Sequence, residues 1–207
     1  MPRDRESTKT RILEAAERLV TRAGFGALGV NAVAAEAGVD KVLIYRYFGG
    51  LPQLLTALAG DGKLWPSLSE LAPHPPNADG DAERSFAAST LRVLRAELAA
   101  LRERPLAQQA LAWELAERNA LTAELAAART ARHGEMLEAV RAGRRPPPYV
   151  DAPALIALLS AGLTYLALVS SASDHYMELE LDSEDGWRRI DKTLATVVRA
   201  LLEPVAM

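Results

Sequence analysis

The stretch "AAEAGVDKVLIYRYFGG", residues 34–50, gathers two cations (Lys41, Arg46) and three rings (Tyr45, Tyr47, Phe48) into seventeen positions. Aromatic residues make up only 5% of the chain, so the concentration demands a reason. Stepping 100° per residue from an inward-facing Ile44 puts Phe48 on the same face, with Val39 beneath it. Val42 and Arg46 then point the opposite way, flanked by Leu43 and Tyr45, and Lys41 sits at the exposed start. Such a surface has the chemistry to meet a nucleic acid. Lys41 and Arg46 can reach phosphates or guanine edges. The hydroxyls of Tyr45 and Tyr47 can bond phosphate, and Val42 and Leu43 suit thymine methyls.

Other reactive groups are sparse. His175 and Glu178, three apart with Asp174 beside them, have a spacing that permits metal ligation on a helix. The segment reads as a connection, however, and offers no third ligand. His74 lies in a proline loop, and "GDGK" at 60–63 lacks the strand and spacing of a phosphate loop. With no cysteine there is no disulfide, thiolate metal site or thiol nucleophile. A helical enzyme is thus the weaker alternative; no cofactor and no metal are expected.

The elements must position the cluster at 41–47. The chain has 207 residues, 49% hydrophobic and 25% charged, enough for a packed core. Alanine and leucine dominate while β-branched residues are few, which favours helix. Net charge is −3, but residues 1–50 hold 8 Lys+Arg against 6 Asp+Glu and the remainder 16 against 21: a basic head on an acidic body. No apolar run reaches the ~18–20 uninterrupted residues of a membrane span. "PALIALLSAGLTYLALVSSA" is broken by Ser160, Gly162 and Thr164 and reads as a buried helix. The charged start "MPRDRESTKTR" lacks an apolar signal core, so a cytoplasmic protein is expected.

Periodicity predicts an all-α chain of about nine helices without a convincing strand: about 7–23 with Ser7 as N-cap, 30–37, 41–48 capped by Asp40, 51–60 with continuation through Leu71 as the alternative, about 81–104, 106–118, 120–142, 152–173 and 184–202. "APHPPNADGD" and "GRRPPPYVD" read as loops. "AGVD" has the length and glycine content of the turn in a helix-turn-helix. The organisation expected is a three-helix helix-turn-helix head at 1–50 and a larger helical ligand-binding and dimerisation body at 51–207.

The stretch "TRILEAAERLVTRAGFGALGVNAVAAEAGVDKVLIYRYFGGLPQLL" resembles the N-terminal domain of the tetracycline-repressor (TetR) family of transcription regulators. The shared features are the "ILEAA" helix, Gly24-Phe25, Val33-Ala34 leading to Ala37-Gly38-Val39, and Tyr45-x-Tyr47-Phe48. The resemblance implies a homodimer on a palindromic double-stranded DNA operator, usually a repressor released by a small-molecule effector. It places Lys41, Val42, Leu43, Tyr45, Arg46, Tyr47 and Asn31 where the family contacts DNA. The chain departs from the family at Leu28-Gly29, where threonine is usual, at Val42-Leu43, often Gly-Thr, and at Gly50-Leu51, commonly Ser-Lys. Two customary phosphate contacts are thereby missing or left to backbone N–H groups, for which Arg3, Arg5, Lys9 and Arg11 are candidate substitutes. Those losses leave a helical interaction protein with a vestigial helix-turn-helix as the second alternative.

In the body, Phe86, Trp113, Glu114, Glu117, His133, Met136 and Tyr165 combine rings with sparse polar groups and are the candidate pocket for a small, mostly apolar ligand. Leu155, Leu159, Leu163 and Leu166 stripe one late helix, and Trp187, Ile190, Leu194 and Val198 the next. The expectation is a two-fold four-helix bundle between two copies, the alternative being closure of the monomer core.

Overall fold

The computed structural model describes residues 2–60, 64–71, 85–141 and 145–203. The expected loop at 72–81, the start of the helix expected at about 81, any helical continuation through 61–63 and part of the second loop lie outside these. Among the described residues are ten α-helices, a 3-10 turn and one two-residue-per-strand hairpin, so the chain is all-α. Two compact units share them: Met1–Trp65 with Arg104–Ala131, and Pro66–Glu103 with Arg132–Met207.

The first unit holds α1 (Pro2–Ala23), the 3-10 turn Phe25–Ala27, α2 (Val30–Ala37), α3 (Lys41–Phe48), α4 (Leu51–Gly60), α7 (Pro105–Ala116) and the first half of α8 (Ala120–Arg141). The core is Ile12, Ala16 and Val20 of α1, Phe25, Val33, Ile44, and Leu54, Leu55 and Leu58 of α4, recurring at helical spacing as the sequence predicts. Helix α1 starts five residues before Ser7, which is therefore no N-cap. Proline is well suited to a first helical turn, and Glu6 sustains the new turns by pairing with Lys9 at 3.2 Å and accepting the Thr10 hydroxyl on its carbonyl. Pro105 starts α7, and Asn119 caps α8 by accepting N–H bonds from Leu121 (2.9 Å) and Thr122 (3.0 Å).

The second unit holds α5 (Leu68–Leu71), α6 (Phe86–Glu103), the rest of α8, α9 (Ala152–Val169), β1 (His175–Tyr176), β2 (Leu179–Glu180) and α10 (Glu184–Leu202). A reciprocal capping box starts α5: Ser67 Oγ accepts from Glu70 N–H and the Glu70 carboxylate from Ser67 N–H. Leu91 and Leu94, Met136, Ile156, Leu163, Trp187 and Val198 form the core. One carboxylate is buried among them. Glu97 accepts the Ser160 hydroxyl at 3.0 Å, and His133 Nε2 lies 3.2 Å from its Oε1. A buried carboxylate without such partners would cost several kcal/mol, roughly.

Two expectations are corrected here. The helix expected to reach about 173 ends at Val169, and the connection expected from 174 contains an antiparallel hairpin pairing His175 with Glu180 and Tyr176 with Leu179. Strands this short carry no alternation pattern to read. Helix α9 was expected to be buried, yet only 28% of its residues are fully buried and others are half-buried or exposed; by length and composition alone it would pass for a membrane span. Its inner side packs on the core through Ile156, Leu163 and Ala167, and Ala154, Ala157, Leu158, Ala161, Gly162 and Tyr165 remain exposed. Composition signals apolarity; it does not say which side finds a partner.

The hairpin rides against the first turn of α10. Trp187 Nε1 donates to the Leu181 carbonyl at 2.8 Å, the Arg102 guanidinium lies 4.3 Å from the Trp187 ring, and Gly186 is where backbones meet. A Cβ at Gly186 would stand 1.8 Å from the Glu180 carbonyl oxygen. Gly186→Ala should therefore push β2 away from α10 and lower stability by about 1–3 kcal/mol or more, read as a reduced urea midpoint. An unchanged midpoint would contradict this packing.

Candidate nucleic-acid interface

Backbone chemistry sets the angle between α2 and α3. Helix α2 ends at Gly38 in the left-handed conformation (φ 62°), where Gly38 N–H reaches the Ala35 carbonyl and Val39 N–H the Ala34 carbonyl at 3.0 Å. The extended residue Asp40 follows, and its carboxylate accepts Val42 N–H at 2.8 Å, opening α3. Gly49 (φ 91°) closes it, its N–H on the Tyr45 carbonyl. Ile44 is fully buried and fixes the rotation of α3 about its axis.

That rotation leaves Lys41, Val42 (61% exposed), Tyr45 (55%) and Arg46 in solvent, with Leu43 and Tyr47 half-buried. Among the described residues neither Lys41 nor Arg46 is in an ion pair. Arg18 and Arg22 differ: Arg18 Nε and Arg22 Nη2 both grip Glu36, at 3.0 and 2.9 Å, and clasp α1 to α2. The Arg5 guanidinium lies 5.7 Å over the Tyr47 ring, giving that tyrosine a lid from α1. Asn31 is exposed in the first turn of α2, which Gly29 opens without a side-chain cap. Lys9 is half-buried and held by Glu6, whereas Arg11 is exposed.

The seven pocket candidates divide between the two units. Phe86 and Met136 are buried in the core of the second, where His133 bonds to Glu97 and the half-exposed Tyr165 meets Tyr176 edge-on at 5.5 Å. In the first, Trp113 stacks on Phe25 (5.3 Å between centroids, 14° between planes), Glu114 is ion-paired to Arg129, and Glu117 is exposed beside Asn119. A cavity of about 120 Å³ in the second unit is lined by Phe86, Leu137, Val140, Ala152 and Ile156; of the seven, Phe86 alone borders it. Glu97 and Ser160 went unread in the sequence. A signal existed, since Glu97 follows Leu94 by three residues and falls on the apolar side of α6.

Of the two late stripes, Leu163, Trp187, Ile190, Leu194 and Val198 belong to the core of their own unit, with Leu155, Leu159 and Leu166 half-buried against it. The open apolar surface includes their outer edges: a groove of about 340 Å³ is lined by Leu159, Leu163, Leu166, Ile190 and Leu194 of the stripes together with Leu158, Gly162, Thr193 and Val197. Asp174, His175 and Glu178 are exposed on or beside the hairpin, and among the described residues no three metal-ligating side chains converge.

Residues 12–58 match the family model described as bacterial regulatory proteins, tetR family. Over 56 residues the chain is 41% identical to the HTH-type transcriptional repressor SCO4008 of Streptomyces coelicolor. This match spans 27% of the chain and 29% of that relative. Similar solved structures extend further. Salmonella enterica GusR superposes with a TM-score of 0.62 over 96% of both chains at 17% identity. A TetR-like transcriptional regulator from Rhodococcus sp. gives 0.52 over 94% of this chain and 95% of that one at 18% identity. At such identities the likeness is one of fold. The resemblance to the TetR family therefore stands in the sequence of the head, and the whole chain shares its fold with these structures.

Acid can open the Arg–Glu36 clasp. Hydrogen bonds from Arg22 first and Arg18 second hold the Glu36 carboxyl below the ordinary carboxylate range. A depressed value means the stabilisation is fully present above the unfolded carboxyl's pKa, near about 4, and is lost as pH falls through the lower folded value. Glu36→Gln should accordingly lose less stability than the native chain below about pH 4. Superimposable acid profiles in urea titrations would show that the clasp contributes nothing.

Proposed function

We propose that this chain, with the head of a TetR-family regulator, is a DNA-binding transcription regulator. It acts as a homodimeric repressor that leaves a palindromic operator when the body takes up a small, mostly apolar molecule. The observation that carries the reading is the outer face of α3. Two cations, unpaired among the described residues, and two tyrosines stand in or beside solvent, on a helix whose rotation a buried isoleucine fixes. Residues 1–50 would read the DNA, and 51–207 would dimerise and bind the effector. No catalytic role is assigned, and the place of action is the cytoplasm.

Dimerisation follows from α9. An exposed strip with Ala157, Ala161 and Gly162 beside Leu158 and Tyr165 suits close approach of a second helix. Ser160 on its opposite side is tied into the polar group around Glu97, an arrangement of a helix packed in protein. Release of DNA requires that the effector prefer the arrangement in which the two heads no longer match successive major grooves, ~34 Å apart. Helix α4, opened by Leu51, Pro52 and Gln53, follows the reading helix directly and is the element whose shift would move it.

Tyr45→Ala and Arg46→Ala should each weaken specific operator binding by about 1–3 kcal/mol where the side chain meets a base, with the fold retained because both side chains point to solvent. Operator selection from random DNA followed by gel shift supplies the measurement; undiminished affinity in both variants would remove the assignment. For the dimer, a charge at Leu194 or Val198 would strike the core of the unit itself. Leu158→Glu, at a side chain 73% exposed, is the discriminating change. It should give folded monomers in sedimentation, and a persistent dimer would exclude this face.

A further inference from the structure

The cavity of about 120 Å³ in the second unit lies where the start of α6, the end of α8 and the start of α9 meet. Phe86, Val140, Ala152 and Ile156 on its lining are buried, whereas Arg141 and Pro153 on its border are exposed and mark the way in. Apart from Arg141, every side chain around it is apolar. Close-packed interiors leave few voids larger than a water molecule, so this one calls for an occupant.

Water is a poor one, since a buried water needs about two to four polar partners. The first turn of α9 has no donor to spare. Ala152 N–H is on the Val150 carbonyl at 2.9 Å, Pro153 has none, and Ala154 N–H is on the Asp151 carboxylate at 3.1 Å. An apolar cavity of about 150 Å³ stays dry and takes up benzene. The space here has the size and chemistry for one such ring, and Phe86 offers it an aromatic neighbour. The walls are also fixed. One turn from Leu137, His133 bonds to Glu97; one turn from Ile156, Ser160 bonds to the same carboxylate. Both α8 and α9 are thereby fastened to α6 within a turn of the lining, which opposes collapse of the void.

The single charge defines the other end of the occupant. Arg141 Nη1 donates to Glu138 Oε1 at 3.2 Å, an exposed pair on adjacent turns of α8. Pairs of that kind contribute little, and one bond leaves most of the five guanidinium donors open. A carboxylate carried by the ring would meet that fork at the mouth.

We infer that this cavity binds a small aromatic carboxylic acid of about benzoate's size, with its ring among Phe86, Leu137, Val140 and Ile156 and its carboxylate on Arg141. The inference rests on reading the body as effector-binding and narrows the effector from mostly apolar molecules to aromatic monocarboxylates.

The test uses the full chain, 13C-labelled at the methyl groups of Ile, Leu and Val, with benzoate and with benzyl alcohol, an uncharged analogue of similar size. Benzoate should shift the Val140 and Ile156 methyl resonances saturably, and its ring protons should give intermolecular NOEs to Leu137, Val140 and Ile156. Benzyl alcohol should reach the same methyls but require about tenfold more ligand, as expected for loss of a charge-assisted bond. Arg141→Gln, at an exposed side chain, should erase that preference and leave benzyl alcohol binding unchanged. Ala152→Leu, which fills the space, should abolish both responses. The NOEs are read on the unaltered chain, so they decide the site even where that variant fails to fold. Absence of saturable shifts, NOEs confined to other methyls, or equal affinity for the two probes would each overturn the proposal. Operator affinity is a separate readout. Benzoate that gives these NOEs yet leaves operator affinity unchanged at saturation would uphold the site and remove its effector role. Loss of the DNA-reading assignment through Tyr45 and Arg46 would leave the NOEs untouched.

Discussion

Eight residues are too few to hold a helix in water, and α3 is eight residues long. Nucleating a helical turn fixes several dihedrals for one hydrogen bond, so isolated helices shorter than about 12–15 residues are marginal. The surface that would meet DNA therefore exists only because other groups impose it. Ile44 buries the inner face, Asp40 supplies the missing acceptor at the start, and Gly38 lets the chain turn into position. The clasp of Arg18 and Arg22 on Glu36 steadies α2 against α1. Outward side chains contribute little to this scaffold, which leaves them free to differ among proteins of the same fold.

The head was legible because its signals are local. Gly38, Asp40, Gly49 and the spacing around Ile44 act within a turn or two of themselves, and the structure realises them as the sequence predicts. Loop boundaries at Pro105 and Asn119 were readable for the same reason. The start of α1 was missed since Ser7 is an acceptable cap in isolation. Nothing local reports that the chain before it is also helical.

The body was less legible because its decisive contacts join distant residues. Glu97 and Ser160 are 63 positions apart, and Phe25 and Trp113 farther still, so no periodic pattern announces either pairing. The apolar stripes of the late helices were identified correctly as apolar. Which stripe turns inward depends on a partner helix that hydrophobicity alone does not name. Thus Leu194 and Val198 close the core while Leu158 and Tyr165 stay in water. The pocket candidates scatter for a related reason: ring and polar types mark what can bind, and only packing decides which of them meet.

Under the proposed pairing, the uncovered side of α9 ties the protein to its own abundance. A single chain must keep Leu158, Tyr165 and the flanking alanines in water, while a paired chain need not, so the balance follows mass action. At low expression the apolar strip is open to proteases and to unrelated sticky surfaces. At higher expression the proposed pairing would shield it and lengthen the lifetime of each molecule. If, as proposed, only the paired form binds DNA, a gene dose halved would remove more than half of the competent protein, a nonlinearity that arises from one helix face.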